Sequence, residues 1–166
     1  MQPWHISHRA DPLACDVADR HYTRQKPGSS QFVPPGRCLV LRTHDYGALW
    51  VTSWPFAEYV KHEWAGAWVC SLFRNESREF LSSKLIRAAV AATRWYYGEP
   101  PDLGMITFVN KREVRGKKHF GACYRHARFE EVGHTKGGLL ALQLTPDKMP
   151  PATAPVGSQQ LLFQAA

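Results

Sequence analysis

The sequence predicts one α/β domain, a central mixed and mostly antiparallel sheet flanked by helices, on three observations. With 166 residues and 44% hydrophobic content, the chain can bury one sizeable core rather than two. Short apolar runs of strand length recur between Gly- and Pro-bearing turns. One long segment, from Ser82 to Tyr97, carries its apolar residues at helical spacing. Together they give the order β-β-β-α-β-α-β-β behind a short N-terminal helix.

That first helix starts at Asp11-Pro12, with Asp as N-cap and Pro in the first turn, and runs to about His21 with Leu13, Ala14, Val17 and Ala18 spaced for one face. Residues 22–36 hold Lys26-Pro-Gly28 and Val33-Pro-Pro-Gly36, which is turn chemistry, so this stretch reads as an irregular loop. Arg37–Arg42 and Ala48–Ser53 are strands joined by a Gly-containing turn of hairpin length. The aromatic segment 54–64 has no assignable pattern. Ala67–Phe73 is almost wholly apolar and so belongs at the centre of the sheet.

In the helix over 82–97, Leu85, Ile86, Ala89, Val90, Thr93 and Tyr97 share a face. Ser82 or Ser83 can cap it, and Gly98 followed by Pro100-Pro101 stops it. Gly104–Val109 is another buried strand. A basic loop, a short helix over 119–127, and strands over 128–134 and 139–144 complete the core. From about Thr145 the composition turns to Pro, Ala, Thr and Ser without periodicity, which predicts a flexible tail over 145–166. The chain thus divides into an N-terminal helix and basic loop (1–36), the core (37–144) and the tail.

Twenty-one Lys and Arg against fourteen Asp and Glu give a net charge of +7, which favours a polyanionic partner, nucleic acid or a phosphate-rich cofactor. Cys15, Cys38, Cys70 and Cys123 are widely spaced and read as buried free thiols of an intracellular protein rather than a metal or disulfide framework. Eight His residues show no pair at convincing ligand spacing, so no metal is expected. With no signal peptide and no apolar run of membrane-spanning length, the chain reads as soluble and cytoplasmic.

The stretch Gly121-Ala-Cys-Tyr-Arg-His-Ala-Arg-Phe129 resembles the C-terminal signature of the GNAT acyltransferase superfamily, in which a short helix bearing a Tyr is followed five residues later by a strand-starting Phe. With the element order, this resemblance covers about residues 37–144 and implies a GNAT-like core. It also implies Tyr124 as general acid toward a leaving group. The connection Phe73–Ser83 departs from the pattern, because it lacks the Gly-rich loop that holds the pyrophosphate of CoA. Arg74, Ser82 and Ser83 at the helix start are then the candidate cofactor phosphate contacts.

His21-Tyr22-Thr23-Arg24, a following Pro-Gly and the downstream Leu81-Ser82-Ser83 resemble the phage-encoded Mom-like DNA modification proteins. The resemblance implies an enzyme that adds a glycine-derived or acyl group to a base amine, adenine N6, and protects phage DNA from restriction. An acyl-CoA or an aminoacyl donor, tRNA-borne included, would supply the group.

His21 could take the amine proton, Tyr22 could assist a leaving group or stack on a base, and Glu76 could serve as a base at a strand end where open sheets place ligands. Each has a structural alternative: a helix-terminal His, aromatics covering the core, and a carboxylate paired with Arg74 or Arg78. Arg24, Lys26 and Arg37, with Lys111, Arg112, Arg115, Lys117 and Lys118, make two basic segments suited to phosphate contact; Arg20 adds to the first. Trp54, Phe56, Tyr59 and Trp64 are the aromatics placed to stack on an extruded base. Two alternatives remain at this point: an acyl-CoA-dependent N-acetyltransferase of a small amine or protein, and a non-catalytic nucleic-acid-binding protein.

Overall fold

The computed structural model describes residues 2–21, 28–110 and 121–158. Seven strands form one mixed, mostly antiparallel sheet in the order β1-β2-β3-β4-β5-β7-β6. They are β1 (His5–Ile6), β2 (Arg37–Arg42), β3 (Ala48–Trp54), β4 (Trp68–Asn75), β5 (Met105–Val109), β6 (Glu130–His134) and β7 (Leu140–Leu144). The helices are α1 (Pro12–Asp19), α2 (Ser82–Tyr97) and α3 (Ala122–His126). Among the described residues only β4 and β5 pair in parallel, as a strand–helix–strand crossover through α2 requires.

The sheet is covered on both faces. Ala14, Val17 and Ala18 of α1 pack with Val40, Leu49, Val51 and Leu72 on one side. Leu85, Ile86, Ala89 and Val90 of α2 pack with Trp50, Trp68, Cys70 and Met105 on the other. Leu13, read as part of the α1 face, is exposed. The α1 N-terminus is capped as expected: Asp11 Oδ1 accepts from the Leu13 and Ala14 N–H groups. A polar string crosses the larger core without an orphan, since Trp50 Nε1 donates to Thr52, whose hydroxyl meets that of Thr93 at 2.9 Å.

Two expectations are corrected. The predicted cap of α2 is absent: Leu81 holds the N-cap position without a side-chain bond, and Ser82 Oγ instead accepts from Asn75 Nδ2 at 3.1 Å. The tail is not loose over 145–158. Its backbone bonds α2 and the N-terminal segment (Thr153 N–H to Ala91 O, Val156 N–H to Trp4 O), Arg87 and Arg94 hold the Lys148 and Pro150 carbonyls, and Met149 and Ser158 are buried. Prolines remove few needed donors there, because side chains and backbone of α2 supply them. The unassigned segment 54–64 contains a 3₁₀ turn, Ala57–Tyr59.

Two features escape the sequence pattern. β1 is only two residues long, yet Trp4 beside it is wholly buried and donates to Leu85 O at 2.9 Å. In β4, Ser71 is skipped in the register with β3, since Val51 pairs with Leu72 and Thr52 with Cys70. This bulge shifts the alternation, so Cys70 and Phe73 face α2 while Leu72 faces α1. All four cysteines are free thiols, but only Cys70 is buried; Cys15, Cys38 and Cys123 are partly exposed, contrary to the expectation that all four are buried. No helix among the described residues is long and apolar enough to cross a membrane.

Candidate active site

β4 and β5 pair only from Trp68↔Met105 to Cys70↔Thr107. Beyond Cys70, at the bulge, β4 continues to Asn75 against β3 alone while β5 stays with β7. Two central parallel strands therefore part toward their carboxyl ends, the place where open α/β sheets bind ligands.

Tyr124 of α3 stands at this parting. Its hydroxyl lies 3.6 Å from Cys70 Sγ, and its ring meets Phe73 at 6.2 Å, edge to face. Burial, with the neighbouring Cys70 and Cys123, raises the phenol well above its ordinary range, so it stays protonated at any working pH. The Cys70 thiol is pushed up to about 12, chiefly by burial, and is inert as a nucleophile.

The local sequence explains how Tyr124 is held. Gly121 opens α3 at φ 68°, where a Cβ would come within 2.6 Å of Leu142 Cδ1. At the other end, Arg128 adopts φ 75°, its N–H bonds Arg125 O, and Phe129 N–H bonds Tyr124 O. These are the two bonds of a left-handed helix cap, in which the residues at its two ends come into apolar contact. Tyr124 and Phe129 do so at 5.4 Å. The five-residue Tyr-to-Phe spacing in the sequence is thus a capping motif that fixes the Tyr ring.

A polar cluster sits on the same stretch of β4. His21 follows α1, and its imidazole bonds the Phe73 backbone carbonyl. Burial and the nearby Arg74 guanidinium lower its pKa to about 4, so it is neutral at pH 7 and able to accept a proton. Arg20 grips Glu76 bidentately, Nε to Oε2 at 2.7 Å and NH2 to Oε1 at 2.5 Å. Arg74 Nε adds a contact to Oε2 at 2.7 Å and its NH1 reaches Arg20 O. The hydrogen bond from Arg20 leads the causes that lower the Glu76 carboxyl to about 2. Such a carboxylate suits positioning, as the paired alternative for Glu76 anticipated, and is a poor base.

Arg74 is therefore occupied by Glu76 and the Arg20 carbonyl rather than left open for a cofactor phosphate. Asn75 organises the connection to α2: its amide donates to Phe80 O and Ser82 Oγ, and its Oδ1 accepts from Ser77 N–H. Ser83 lines a different surface, an open groove of about 450 Å³ with Lys84, Arg87 and His126. The structure thus does not gather Arg74, Ser82 and Ser83 into one phosphate cradle. Arg37 lies at the far end of the sheet, paired with Trp54.

Tyr22, Arg24, Lys26, Lys111, Arg112, Arg115, Lys117 and Lys118 lie outside the described residues. The chain leaves the described region at His21 and Asn110, beside the carboxyl ends of β4 and β5 respectively. Sequence reasoning missed Phe73, which both His21 and Tyr124 contact, and took Arg20 for a phosphate contact. The spacing of 56 residues between Arg20 and Glu76 carries no local signal.

One group of His and carboxylates could hold a cation among the described residues: His44, Asp45 and Glu79, with ligand atoms within 4.8 Å of one another. All three are exposed, and Asp45 Oδ1 already accepts from Thr43 and the Gly47 N–H within its own turn. Comparisons with known protein families, with curated proteins and with solved structures found no match to this chain.

Proposed function

We propose that this protein is a GNAT-like transferase that moves a small acyl- or glycine-derived group onto an exocyclic amine of a DNA base, adenine N6, as a phage-type modification that protects DNA from restriction. One observation carries the reading: where two central parallel strands part, a neutral His21 bonds the Phe73 backbone carbonyl and a protonated Tyr124 packs on the Phe73 ring. The amine attacks the activated carbonyl carbon of the donor, the C–N bond forms, and the bond to the leaving group breaks. His21 takes the amine proton, and the Tyr124 hydroxyl hydrogen-bonds the departing atom. The base must leave its stack to reach such a site, at a cost of a few kcal/mol. The net charge of +7 and the eight basic residues named in the two segments suit the DNA backbone.

The test is mass spectrometry of nucleosides digested from plasmid DNA of cells expressing the chain, beside cells expressing His21→Ala. A heavier deoxyadenosine species made by the wild type alone is the expected result, and its mass increment identifies the group. Unmodified DNA in cells holding soluble, folded wild-type protein overturns the reading.

A further inference from the structure

At the opposite end of the sheet from His21 lies a second surface that the transfer chemistry does not use. Phe56 and Tyr59 are 55% and 75% exposed, with ring centroids 6.5 Å apart. Exposed Tyr96, at the C-terminal end of α2, touches Tyr97, whose ring packs on Trp54 at 5.1 Å. The Arg37 guanidinium lies 4.3 Å from the Trp54 ring centroid and 4.8 Å from that of Phe56, with Nε tied to Trp54 O. Its terminal nitrogens have no partner among the described residues. Arg9 joins the same corner, donating to Gly36 O and Cys38 Sγ.

Tyr97 Oη and Trp68 Nε1 are buried without a hydrogen-bond partner, and both rings pack on Trp54. Unsatisfied buried polar atoms are uncommon and cost about 1–3 kcal/mol each. Both lie in one aromatic cluster, beneath two exposed rings and a stacked guanidinium, a corner whose flat faces and cation suit a ligand with both rings and anionic groups.

We propose that Phe56, Tyr59, Trp54 and Arg37 form a stacking platform for unpaired bases of a single-stranded nucleic acid, with Arg37 and Arg9 toward its phosphates. The inference rests on the nucleic-acid part of the reading above and not on its transfer chemistry. It gives these aromatics a role in holding the strand beside the reacting base. Arg37 and Trp54 pair at one end of β2 and β3, whereas Phe73, which His21 bonds, pairs with Trp50, four residues along β3 or roughly 13 Å away. A duplex hides its base faces, so this platform selects single strands.

The test is fluorescence anisotropy of the whole protein with labelled oligodeoxythymidine and with a labelled duplex of equal length. Wild type is compared with the double variant Phe56→Ala/Tyr59→Ala and with Arg37→Gln, and thermal melts confirm folding. The double variant is expected to lose about 10-fold or more in single-strand affinity, the scale of one lost stacking contact, with duplex affinity unchanged. Arg37→Gln is expected to weaken single-strand binding and reduce its salt dependence. A folded double variant that binds the single strand as tightly as wild type overturns the proposal, as does a wild type that binds neither probe. Because nucleoside modification is read separately with His21→Ala, loss of one reading leaves the other standing.

Discussion

Tyr124 and Phe129 meet edge to face at 5.4 Å because they occupy the two ends of one helix cap, whose turn is made by Arg128 at φ 75°. A side chain with a Cβ is strained at that angle by about 1 kcal/mol or more. Arg128→Gly should therefore stabilise the protein by about 1 kcal/mol, with part of the gain offset by a freer unfolded chain. Thermal unfolding measures it: the melting temperature is expected to rise by a few degrees, with the Tyr124 environment unchanged in near-ultraviolet dichroism.

Gly121 is the opposite case. Its φ of 68° and the 2.6 Å approach to Leu142 Cδ1 leave no room for a methyl group where α3 begins. Gly121→Ala should destabilise by about 1–3 kcal/mol and displace Tyr124, lowering any transferase activity more than it lowers stability at assay temperature. Denaturant unfolding beside the nucleoside assay separates the two effects.

Much of the frame was readable because its signals are local. The Ser82–Tyr97 helix shows its period and its glycine stop, and the Asp11-Pro12 start is an N-cap written in two residues. β4 was legible as central from its apolar run, but not its Ser71 bulge, which is defined only by register with β3. Trp4 was missed since a two-residue strand has no period to detect. The tail misled because its composition resembles a linker, while its order comes from carbonyls that Arg87 and Arg94 reach across space. At the site, the Tyr124–Phe129 spacing was visible as a motif. The Arg20–Glu76 pair was not, because nothing local couples residues on α1 and β4.

Asp11 does more than cap α1. Burial works to raise its carboxyl, but hydrogen bonds from Ser7, Tyr46 and the Ala14 and Leu13 N–H groups outweigh that and hold it below its ordinary value. Asp11→Ala removes the cap and strands the Tyr46 hydroxyl and Ser7, so a loss of about 2 kcal/mol is expected in urea unfolding at neutral pH. Since α1 ends in Arg20 and His21, His21 should also become more accessible, measured as faster diethylpyrocarbonate modification.

Glu76 has a carboxyl lowered to about 2, first by the hydrogen bond from Arg20, with Arg74 adding to it against the opposing effect of burial. A depressed acid contributes stability above its unfolded value, near 4.5, and loses that contribution as pH falls toward 2. Arg20 is half exposed, so solvent screening limits the pair to about 1 kcal/mol. Glu76→Gln should thus be less stable than wild type at pH 7, and the difference should shrink below pH 4.5 and vanish near pH 2. Paired urea titrations across that range check it.

His21 titrates in the opposite chemical sense but gives the same slope. Its folded pKa of about 4 lies below the ordinary imidazole value of 6.5, so the unfolded chain binds a proton that the folded protein refuses. Stability should therefore fall as pH drops from about 6.5 to 4 and stay flat in this respect above 6.5, a change of roughly 3 kcal/mol at most. His21→Gln should abolish that part of the slope while leaving the part due to Glu76 below 4.5. Imidazole resonances give the direct measurement. His21 should remain neutral at pH 5, where exposed imidazoles are protonated, and in the proposed transfer reaction it should keep its form as a base at that pH. A resonance for His21 titrating near 6.5 would place its imidazole in water rather than against the Phe73 carbonyl.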